Sequence, residues 1–444
     1  MANDLFRIMP EGVKTIISRL KSNGYSAYAV GGAVRDSVMG ITPCDWDIAT
    51  NAKPCETEAV FSDLPVIKTG EKHGTVTVIC GEPCEVTTFR TEGEYIDRRR
   101  PSKVEFVADL KGDLSRRDFT INALAYDEKE GIIDLYGGLD DIKRRIIRTV
   151  GDPYKRFEED ALRILRAVRF SSKTGFAIEK NTYVAAALCR KNLGSVSKER
   201  VLSELEKTLL GENVTNTLLN CKEIITEVIP ELKKCVGFNQ NNPWHRFDVY
   251  EHIARAVGYV CGGSALKFAA LLHDVGKPLV YTEKNGVGHF YGHAKVSAEI
   301  AEKIFVRLKF PKKLSEKALF LIENHDKPLS DDKRKIKRTL YKIGEENFAD
   351  LLKIKYADNA AQGTDKAIEE RKNIEAIERA FMEVVNSGEC YDLKSLAVKG
   401  GDLTALGLSG ENVKKELERL LFLCIDRPEL NVKQKLIDMA KSRL

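Results

Sequence analysis

The sequence predicts an α+β protein in which a mixed sheet fills the first third and helices make up the rest. Short runs with the apolar spacing of strands fall between residues 26 and 135. From Tyr154 to Ser172 apolar residues recur instead at helical spacing, and no later segment alternates convincingly. Gly151-Asp152-Pro153 separates the two patterns, which predicts the main boundary near residue 150.

Seven segments have the composition of strands. The runs TVTVIC and EVTTFR flank a Gly-Glu-Pro-Cys turn, which predicts a hairpin and therefore an antiparallel part of the sheet. The predicted strands are residues 26–30, 45–49, 65–69, 75–80, 85–90, 104–107 and 132–135.

The overall composition is that of an ordinary water-soluble chain. Of its 444 residues 43% are hydrophobic and 31% are charged, and no apolar run approaches the roughly 18 residues of a membrane helix. The first residues include acidic side chains and resemble no leader peptide, so we expect a cytoplasmic protein without a membrane partner. The ten cysteines form no C-x-x-C pair and are expected to be reduced.

The charge is mildly basic and locally clustered. The net charge is +5, and basic residues concentrate at 97–103, 143–148 and 332–338. Such clusters suit a phosphate backbone, although each cluster alone also fits a solvated face.

Residues Gly31 to Asp47 carry the chemistry of a triphosphate site. Gly31-Gly32 follows a predicted strand and permits close approach of the backbone to a ligand, and Arg35 lies near the start of the next helix. Asp45 and Asp47 are two residues apart on a predicted strand, so both carboxylates face the same side. Two such carboxylates suit Mg²⁺, which commonly joins them to substrate phosphates.

The segment from Glu158 to Phe170 is predicted to be an amphipathic helix with a polar stripe. Asp160, Arg163, Arg166 and Arg169 recur at three-residue steps. The stripe fits a solvated face equally well on pattern alone. However, an acceptor from Asp beside donors from Arg complements the pairing edges of cytosine and adenine, whereas uracil and guanine present the reverse pattern.

In this order the segments GGAVRD with DWDIAT, TFRTEGEYIDRRRP, DLSRRDFTINALAYD and EEDALRILRAVRF resemble the class II tRNA nucleotidyltransferases, the CCA-adding enzymes, over about residues 20 to 210. The resemblance implies a polymerase-β-like nucleotidyltransferase head at residues 1–150, a helical neck at 151–215, an HD-type helical body at 216–380 and a tRNA-binding tail at 381–444. It implies a tRNA partner and the substrates CTP and ATP. The segment from Arg90 to Pro101 resembles the flexible loop of full CCA-adding members.

The resemblance also implies roles for individual residues. Asp45 and Asp47 would hold the metals, with Glu85 as a candidate third carboxylate. Asp160 and Arg163 would act as the template for the incoming base. The remaining nucleotide-binding residues would be Gly32, Arg35, Arg116, Asp118, Arg166 and Arg169.

Six of the seven histidines fall between His245 and His325. Several occur in the order expected of HD-superfamily metal phosphohydrolases, where imidazoles and carboxylates suit Mn²⁺, Ni²⁺, Fe²⁺ or Zn²⁺. The predicted metal ligands are His252, His273, Asp274, His293, His325 and Asp358.

Three functions remain open from the sequence. The leading one is addition of C, C and A to the tRNA 3′ end without a nucleic-acid template, with the HD domain as a phosphohydrolase for 3′-end repair. Poly(A) polymerase or A-adding activity uses the same chemistry. A protein that works mainly through an HD hydrolase, with a head that merely binds RNA, is the third.

Overall fold

The computed structural model describes residues 8–92, 104–107 and 109–443, which form two compact units divided between Pro230 and Glu231. Most of the predicted flexible loop, residues 93–101, lies outside the described residues, as does the basic cluster at 97–103.

The first unit contains a seven-stranded mixed sheet with the order β3-β4-β5-β2-β1-β8-β9. β2 and β5 pair in parallel, and the other neighbours pair antiparallel. The strands of this sheet are β1 Ala27–Val30, β2 Asp47–Thr50, β3 Val66–Gly70, β4 Thr75–Cys80, β5 Glu82–Thr88, β8 Leu124–Asp127 and β9 Gly131–Asp134. Two further pairs are β6 Arg90–Glu92 with β7 Val104–Phe106, and β10 Ile146–Ile147 with β11 Ala177–Ile178.

The sheet differs from the predicted strands in four places, one of which is the predicted strand 104–107, where β7 pairs with β6 outside this sheet. β2 begins at Asp47, so Asp45 precedes the strand, although buried Trp46 between two exposed carboxylates keeps the predicted alternation. The β4–β5 hairpin turns at Gly81 alone, where φ is 80°, and the rest of the predicted turn belongs to β5. β8 was not predicted because all four of its residues are buried and therefore do not alternate.

Helices cover the sheet and continue beyond it. They are α1 Glu11–Ser22, α2 Gly32–Val38, α3 Pro54–Val60, α4 Leu110–Ser115, α5 Gly138–Arg144, α6 Pro153–Glu159, α7 Leu162–Thr174, α8 Lys180–Cys189, α9 Lys198–Leu209, α10 Val214–Asn220 and α11 Lys222–Val228.

The predicted continuous helix from Glu158 to Phe170 is interrupted. Asp160 has extended backbone angles, with φ −138° and ψ 104°, and separates α6 from α7. Phe170 of α7 belongs to the same buried cluster as Ile48 of β2 and Val34 of α2. This shared core fixes the polar side of α7 relative to the sheet.

The second unit is mainly helical. Its helices are α12 Val249–Tyr259, α13 Ser264–Leu272, α14 Lys277–Val280, α15 His293–Leu308, α16 Lys312–Asn324, α17 Lys333–Ile343, α18 Glu345–Gln362, α19 Asp365–Asn386, α20 Gly400–Thr404, α21 Glu411–Asp426 and α22 Lys433–Lys441. The prediction of helices alone after residue 150 was wrong at two places, β11 in the first unit and, in the second, the short antiparallel hairpin of β12 Thr282–Lys284 and β13 Val287–His289. Within the described part of the chain, no helix is both long and apolar enough to cross a bilayer.

Candidate functional site

A cavity of about 810 Å³ in the first unit gathers the predicted nucleotide-binding side chains. Its walls come from the turn before α2, the start of β2, the segment after α4, and helices α7 and α9. The predicted residues that line it are Gly32, Arg35, Asp45, Asp47, Arg116, Asp118, Asp160, Arg163, Arg166 and Arg169. Glu85 is not among the described lining residues.

The carboxylates meet through the parallel pairing of β2 with β5, which places Asp47 opposite Glu85. Desolvation raises the pKa of Asp47, and the negative charges of Glu85 and Asp45 raise it further, against an opposing effect of Arg117. The like charges of Glu85 and Asp45 thus add to the effect of burial on Asp47 at this edge of the sheet. A divalent cation would relieve that repulsion, so the donor set fits an oxygen-coordinated metal.

The glycine turn lies at the end of β1. Gly31 has φ 75°, and a Cβ there would lie 2.8 Å from a guanidinium nitrogen of Arg117, so a larger residue would be strained and crowded. Arg35 is buried and donates to Asp36 at 2.7 Å and to the side-chain oxygen of Asn122. Its guanidinium is therefore fixed in direction at the cavity wall.

The predicted base-reading pair lies at the α6–α7 junction. Asp160 Oδ1 accepts from the backbone of Leu162 at 3.0 Å, and Oδ2 accepts from Arg200 of α9 at 3.0 Å. Arg163 is buried, pairs with Glu159, and donates to the carbonyls of Arg156 and Arg116 at 3.2 and 3.0 Å. The break in the helix thus presents both side chains in a fixed orientation.

Asp118 anchors the next arginine of the stripe. It accepts from Arg166 Nε at 2.7 Å, from the Asn122 amide at 3.0 Å and from the Phe119 backbone at 2.8 Å. Burial alone would raise the pKa of Asp118, but Arg166 and these hydrogen bonds outweigh it and lower the pKa to about 2. Asp118 is therefore ionised throughout the physiological range.

Two further arginines have comparable partners. Arg169 pairs with Glu204 of α9 at 3.0 Å, and its guanidinium lies 4.4 Å from the ring centre of Phe170. Arg116 donates to buried Asp113 at 2.7 Å.

Several lining residues were not predicted. They are polar or basic and lie beside predicted ones: Asp36, Arg117, Asn122, Lys173, Arg200 and Lys207. The run RRDFTIN contains Arg117 and Asn122 and could have suggested both, whereas Lys173 and Lys207 lie on α7 and α9 without any local signal.

In the second unit the six predicted metal ligands converge from different elements. Their donor atoms form two groups that share Asp274: one with His252, His273 and Asp358, the other with His293 and His325. In the first group His252 Nε2 lies 3.1 Å from Asp274 Oδ2 and 3.0 Å from Asp358 Oδ1. In the second, His293 Nε2 lies 3.3 Å from Asp274 Oδ1.

Backbone carbonyls orient three of these imidazoles. The Nδ1 atoms of His273, His293 and His325 lie 2.8, 2.9 and 2.7 Å from carbonyl oxygens. Because a carbonyl can only accept, each Nδ1 carries a proton, and Nε2 is the ring nitrogen that faces the cluster. This is the usual second interaction of a metal-ligating histidine.

Asp274, which both groups share, has an unusual environment. Asp274 is buried, and among the described residues neither of its oxygens accepts a hydrogen bond, although Lys277 Nζ lies 2.7 Å from Oδ2. Burial lowers the pKa of His273, but Asp274 and Asp358 outweigh it and raise the pKa to about 10, so positive charge is favoured here. The donor set of the two groups therefore fits divalent cations, which these residues would hold.

The cluster opens into a cavity of about 340 Å³. Two of its lining residues, His245 and Lys277, were not predicted as parts of the site. Lys277 follows Asp274 by three residues, a short separation that could have indicated their ion pair.

Three family models match separate parts of the chain. Residues 27–148 match the poly(A) polymerase head domain, and residues 175–235 match a probable RNA- and SrmB-binding site of polymerase A. Residues 249–362 match the HD domain. The head and HD models bear out the predicted polymerase-type head and HD-type body and suggest dependence on divalent metals.

The CCA-adding enzyme of Limosilactobacillus fermentum is 48% identical over 209 residues, which are 47% of this chain and 52% of that protein. The chain thus spans about half the length of the curated relatives it matches. A CCA-adding enzyme of Thermotoga maritima, solved in complex with tRNA, shares the fold with a TM-score of 0.59 at 18% identity, over 99% of this chain and 97% of that one.

The crystal structure of the Bacillus stearothermophilus CCA-adding enzyme in complex with CTP matches along the whole chain. It is 30% identical, covers 98% of both chains and gives a TM-score of 0.69. The chain therefore belongs to the family of CCA-adding enzymes.

Proposed function

We propose that this protein adds C, C and A to the 3′ end of tRNA from CTP and ATP, without a nucleic-acid template. The observation that carries the proposal is a single cavity lined both by Asp45 and Asp47 and by Asp160 and Arg163. It supports phosphoryl transfer and base selection on one bound nucleotide. A poly(A) polymerase is not favoured, because the relatives and solved structures described above are CCA-adding enzymes.

We assign the metal site of the head to Asp45 and Asp47, with Glu85 as a third carboxylate and Mg²⁺ as the ion. When bound, the ions would activate the attacking hydroxyl and stabilise the negative charge of the leaving group. In the reaction the tRNA 3′-oxygen attacks the α-phosphorus, the bond from that phosphorus to the bridging oxygen breaks, and pyrophosphate leaves. The chain needs no nucleophile of its own.

The basic residues would bind the nucleotide in a fixed position. We assign triphosphate contacts to Gly32, Arg35 and Arg116, and further nucleotide contacts to Arg166 and Arg169. Asp118 is assigned to ribose recognition. Most of these side chains are already oriented by acidic neighbours, so little ordering is needed when the nucleotide binds.

Asp160 and Arg163 would read the base. An acceptor and a donor in fixed positions satisfy the amine and ring nitrogen of cytosine or adenine. Uracil and guanine would leave buried groups unpaired, at a cost of about 1 to 3 kcal/mol for each group.

The test is growth of a tRNA that lacks its CCA end, offered each nucleoside triphosphate singly and then together. We expect two additions with CTP alone and a complete CCA end with CTP plus ATP. A long run of A with ATP alone would contradict the proposal and support a poly(A) polymerase.

We also propose that the second unit is a metal-dependent phosphohydrolase that repairs damaged RNA 3′ ends. The shared Asp274 and the Nε2 atoms that face it support this proposal, because carboxylate and imidazole ligands suit Mn²⁺, Ni²⁺, Fe²⁺ or Zn²⁺. Water would add to the phosphorus, one phosphorus–oxygen bond would break, and the leaving oxygen would take a proton. Failure to hydrolyse 2′,3′-cyclic nucleotides after addition of Mn²⁺ or Ni²⁺ would contradict this second function.

We propose that the chain comprises a head at 1–150, a neck at 151–215, an HD-type domain at 216–380 and a tRNA-binding tail at 381–444. We also propose a cytoplasmic location, because the reaction requires tRNA, CTP and ATP in the same compartment.

A further inference from the structure

A hairpin in the second unit carries an aromatic side chain to the metal-ligand cavity. β12 and β13 pair antiparallel around Asn285-Gly286, whose φ angles of 54° and 74° are those of a tight two-residue turn. After His289, the chain reaches His293, the first residue of α15, through Phe290, Tyr291 and Gly292. The hairpin and a predicted metal ligand are therefore directly connected.

The two aromatic residues of this connection have different environments. The Phe290 ring packs against Tyr281 with ring centres 5.6 Å apart, and the Lys277 ammonium lies 5.3 Å from its centre. Tyr291 is 79% exposed. Phe290 thus holds the connection to the unit, and the Tyr291 ring contributes little to packing.

The Tyr291 ring is nevertheless ordered by a neighbour. It lies nearly parallel to the His289 ring, with ring centres 5.4 Å apart and 6° between the planes. Its hydroxyl lies 3.4 Å from His289 Nδ1. An exposed aromatic face held in one orientation loses little entropy when another flat ring stacks on it.

Tyr291 lies close to the cluster of predicted metal ligands. Tyr291 lines the same cavity as Asp274, His293 and His325. It precedes His293 by two residues, so their Cα atoms lie within about 7 Å of each other. A ligand bound in this cavity would therefore lie beside both the aromatic ring and the metal-ligand cluster.

We propose that Tyr291 is a stacking platform for the base of a ribonucleotide end whose 2′- or 3′-phosphate enters the cavity. The inference rests on the proposed phosphohydrolase function and names its substrate class. Because every base offers a π face, the platform accepts any of the four bases. It distinguishes a nucleotide end from inorganic phosphate or a phosphorylated protein side chain.

Two probes separate base stacking from phosphate binding. One is 2′,3′-cyclic CMP, and the other is glycerol 1,2-cyclic phosphate, which has the same cyclic ester without a base. Full-length wild-type protein is compared with Tyr291→Ala, with Tyr291→Trp, and with the control Tyr259→Ala at an exposed tyrosine outside the described cavity lining. The readouts are KM and kcat with added Mn²⁺, and the fluorescence of Tyr291→Trp against the background of the two native tryptophans.

We expect Tyr291→Ala to raise KM for cyclic CMP about tenfold, or about 1.4 kcal/mol, without changing kcat or the KM of the glycerol ester. Tyr291→Trp should retain the wild-type KM, and cyclic CMP alone should quench its emission. The inference would be overturned if Tyr291→Ala left the KM of cyclic CMP unchanged or raised the KM of both esters equally. It would also be overturned if cyclic CMP did not quench the emission of Tyr291→Trp. Saturable quenching without hydrolysis of either ester would uphold stacking and reject the phosphohydrolase.

Discussion

At the scale of single residues, charged side chains that line the cavity of the first unit are held in place by oppositely charged neighbours. Each charged residue of the α6–α7 polar stripe has such a partner, and the pairs are Asp160 with Arg200, Arg163 with Glu159, Arg166 with Asp118, and Arg169 with Glu204. Long arginine side chains lose rotamer freedom when they are ordered. Here the ion pairs order the arginines when the protein folds, so their side chains are already oriented before a nucleotide binds.

The carboxylate assignment predicts a selective loss of chemistry. Asp45→Ala should lower the rate of nucleotide addition by about a thousandfold or more, because metal stabilisation of the transition state supplies several kcal/mol. Affinity for tRNA, measured by filter binding, should stay within about twofold of wild type.

The matched control is Asp63→Ala, which removes an exposed head carboxylate that pairs with Arg19. Its addition rate should equal that of wild type. Wild-type addition by Asp45→Ala would refute the metal-site assignment.

The lowered pKa of Asp118 predicts that the free energy of unfolding depends on pH. Its folded pKa of about 2 lies below the ordinary 3.8, so ionisation of this carboxyl favours the folded state. The contribution is about 2 kcal/mol, is complete above about pH 4, and is lost as the pH falls toward 2.

Urea denaturation of wild type and Asp118→Asn from about pH 7 to about pH 3 measures this contribution. The advantage of wild type should shrink below about pH 4. Asp140→Asn, at an exposed carboxyl, is the control. An advantage that stays constant over the whole range would show that the Arg166 pair does not lower the pKa of Asp118.

At the scale of elements, the junction between α6 and α7 determines how the base would be read. A continuous helix would place Asp160 on the outer surface of a turn. The extended backbone at Asp160 brings its carboxylate within 3.0 Å of Arg200 on α9. Helix α9 thus positions the residue assigned to base recognition.

This arrangement predicts relaxed base choice when the pair is altered. Asp160→Ala or Arg163→Ala should reduce the preference for CTP over UTP by about tenfold or more, since one unpaired buried group costs about 1 to 3 kcal/mol. Single-turnover incorporation of each nucleotide measures the preference. Lys198→Ala, on α9 outside the described cavity lining, is the control, and unchanged selectivity in Asp160→Ala would refute the template assignment.

The elements also show what the sequence could predict. Short patterns located the glycine turn, the paired aspartates and the arginine stripe, because their spacing is local. β8 was missed because both of its faces are buried, and the helix break was missed because Asp160 is fixed by Arg200, forty positions away. Asn122 and Lys207 join the cavity only through tertiary contacts, which no local pattern reports.

At the scale of the whole molecule, the described chain has two compact units, each with its own cluster of side chains that could hold a metal ion. The carboxylates of the first unit suit a hard ion, whereas the imidazole-rich cluster of the second suits a transition metal. Different ligand chemistry implies that the two sites can be altered separately.

Asp274→Asn should therefore weaken transition-metal binding more than about tenfold and leave the rate of CCA addition unchanged. Metal content after dialysis against Mn²⁺ or Ni²⁺, measured by mass spectrometry, checks the first part. The control Asp331→Asn, at an exposed position outside both ligand groups, should bind metal as wild type does. Full metal retention in Asp274→Asn would contradict the role of this carboxylate as a metal ligand.

The most direct test of the central claim is the sequence of the tail that the wild-type protein adds when all four nucleotides are present at equal concentration. The substrates are tRNAs that lack the CCA end, end in C, or end in CC, and the products are read by mass spectrometry. We predict completion to CCA in every case, followed by arrest. Random tails, or a continued run of A, would contradict a protein template that selects C and then A.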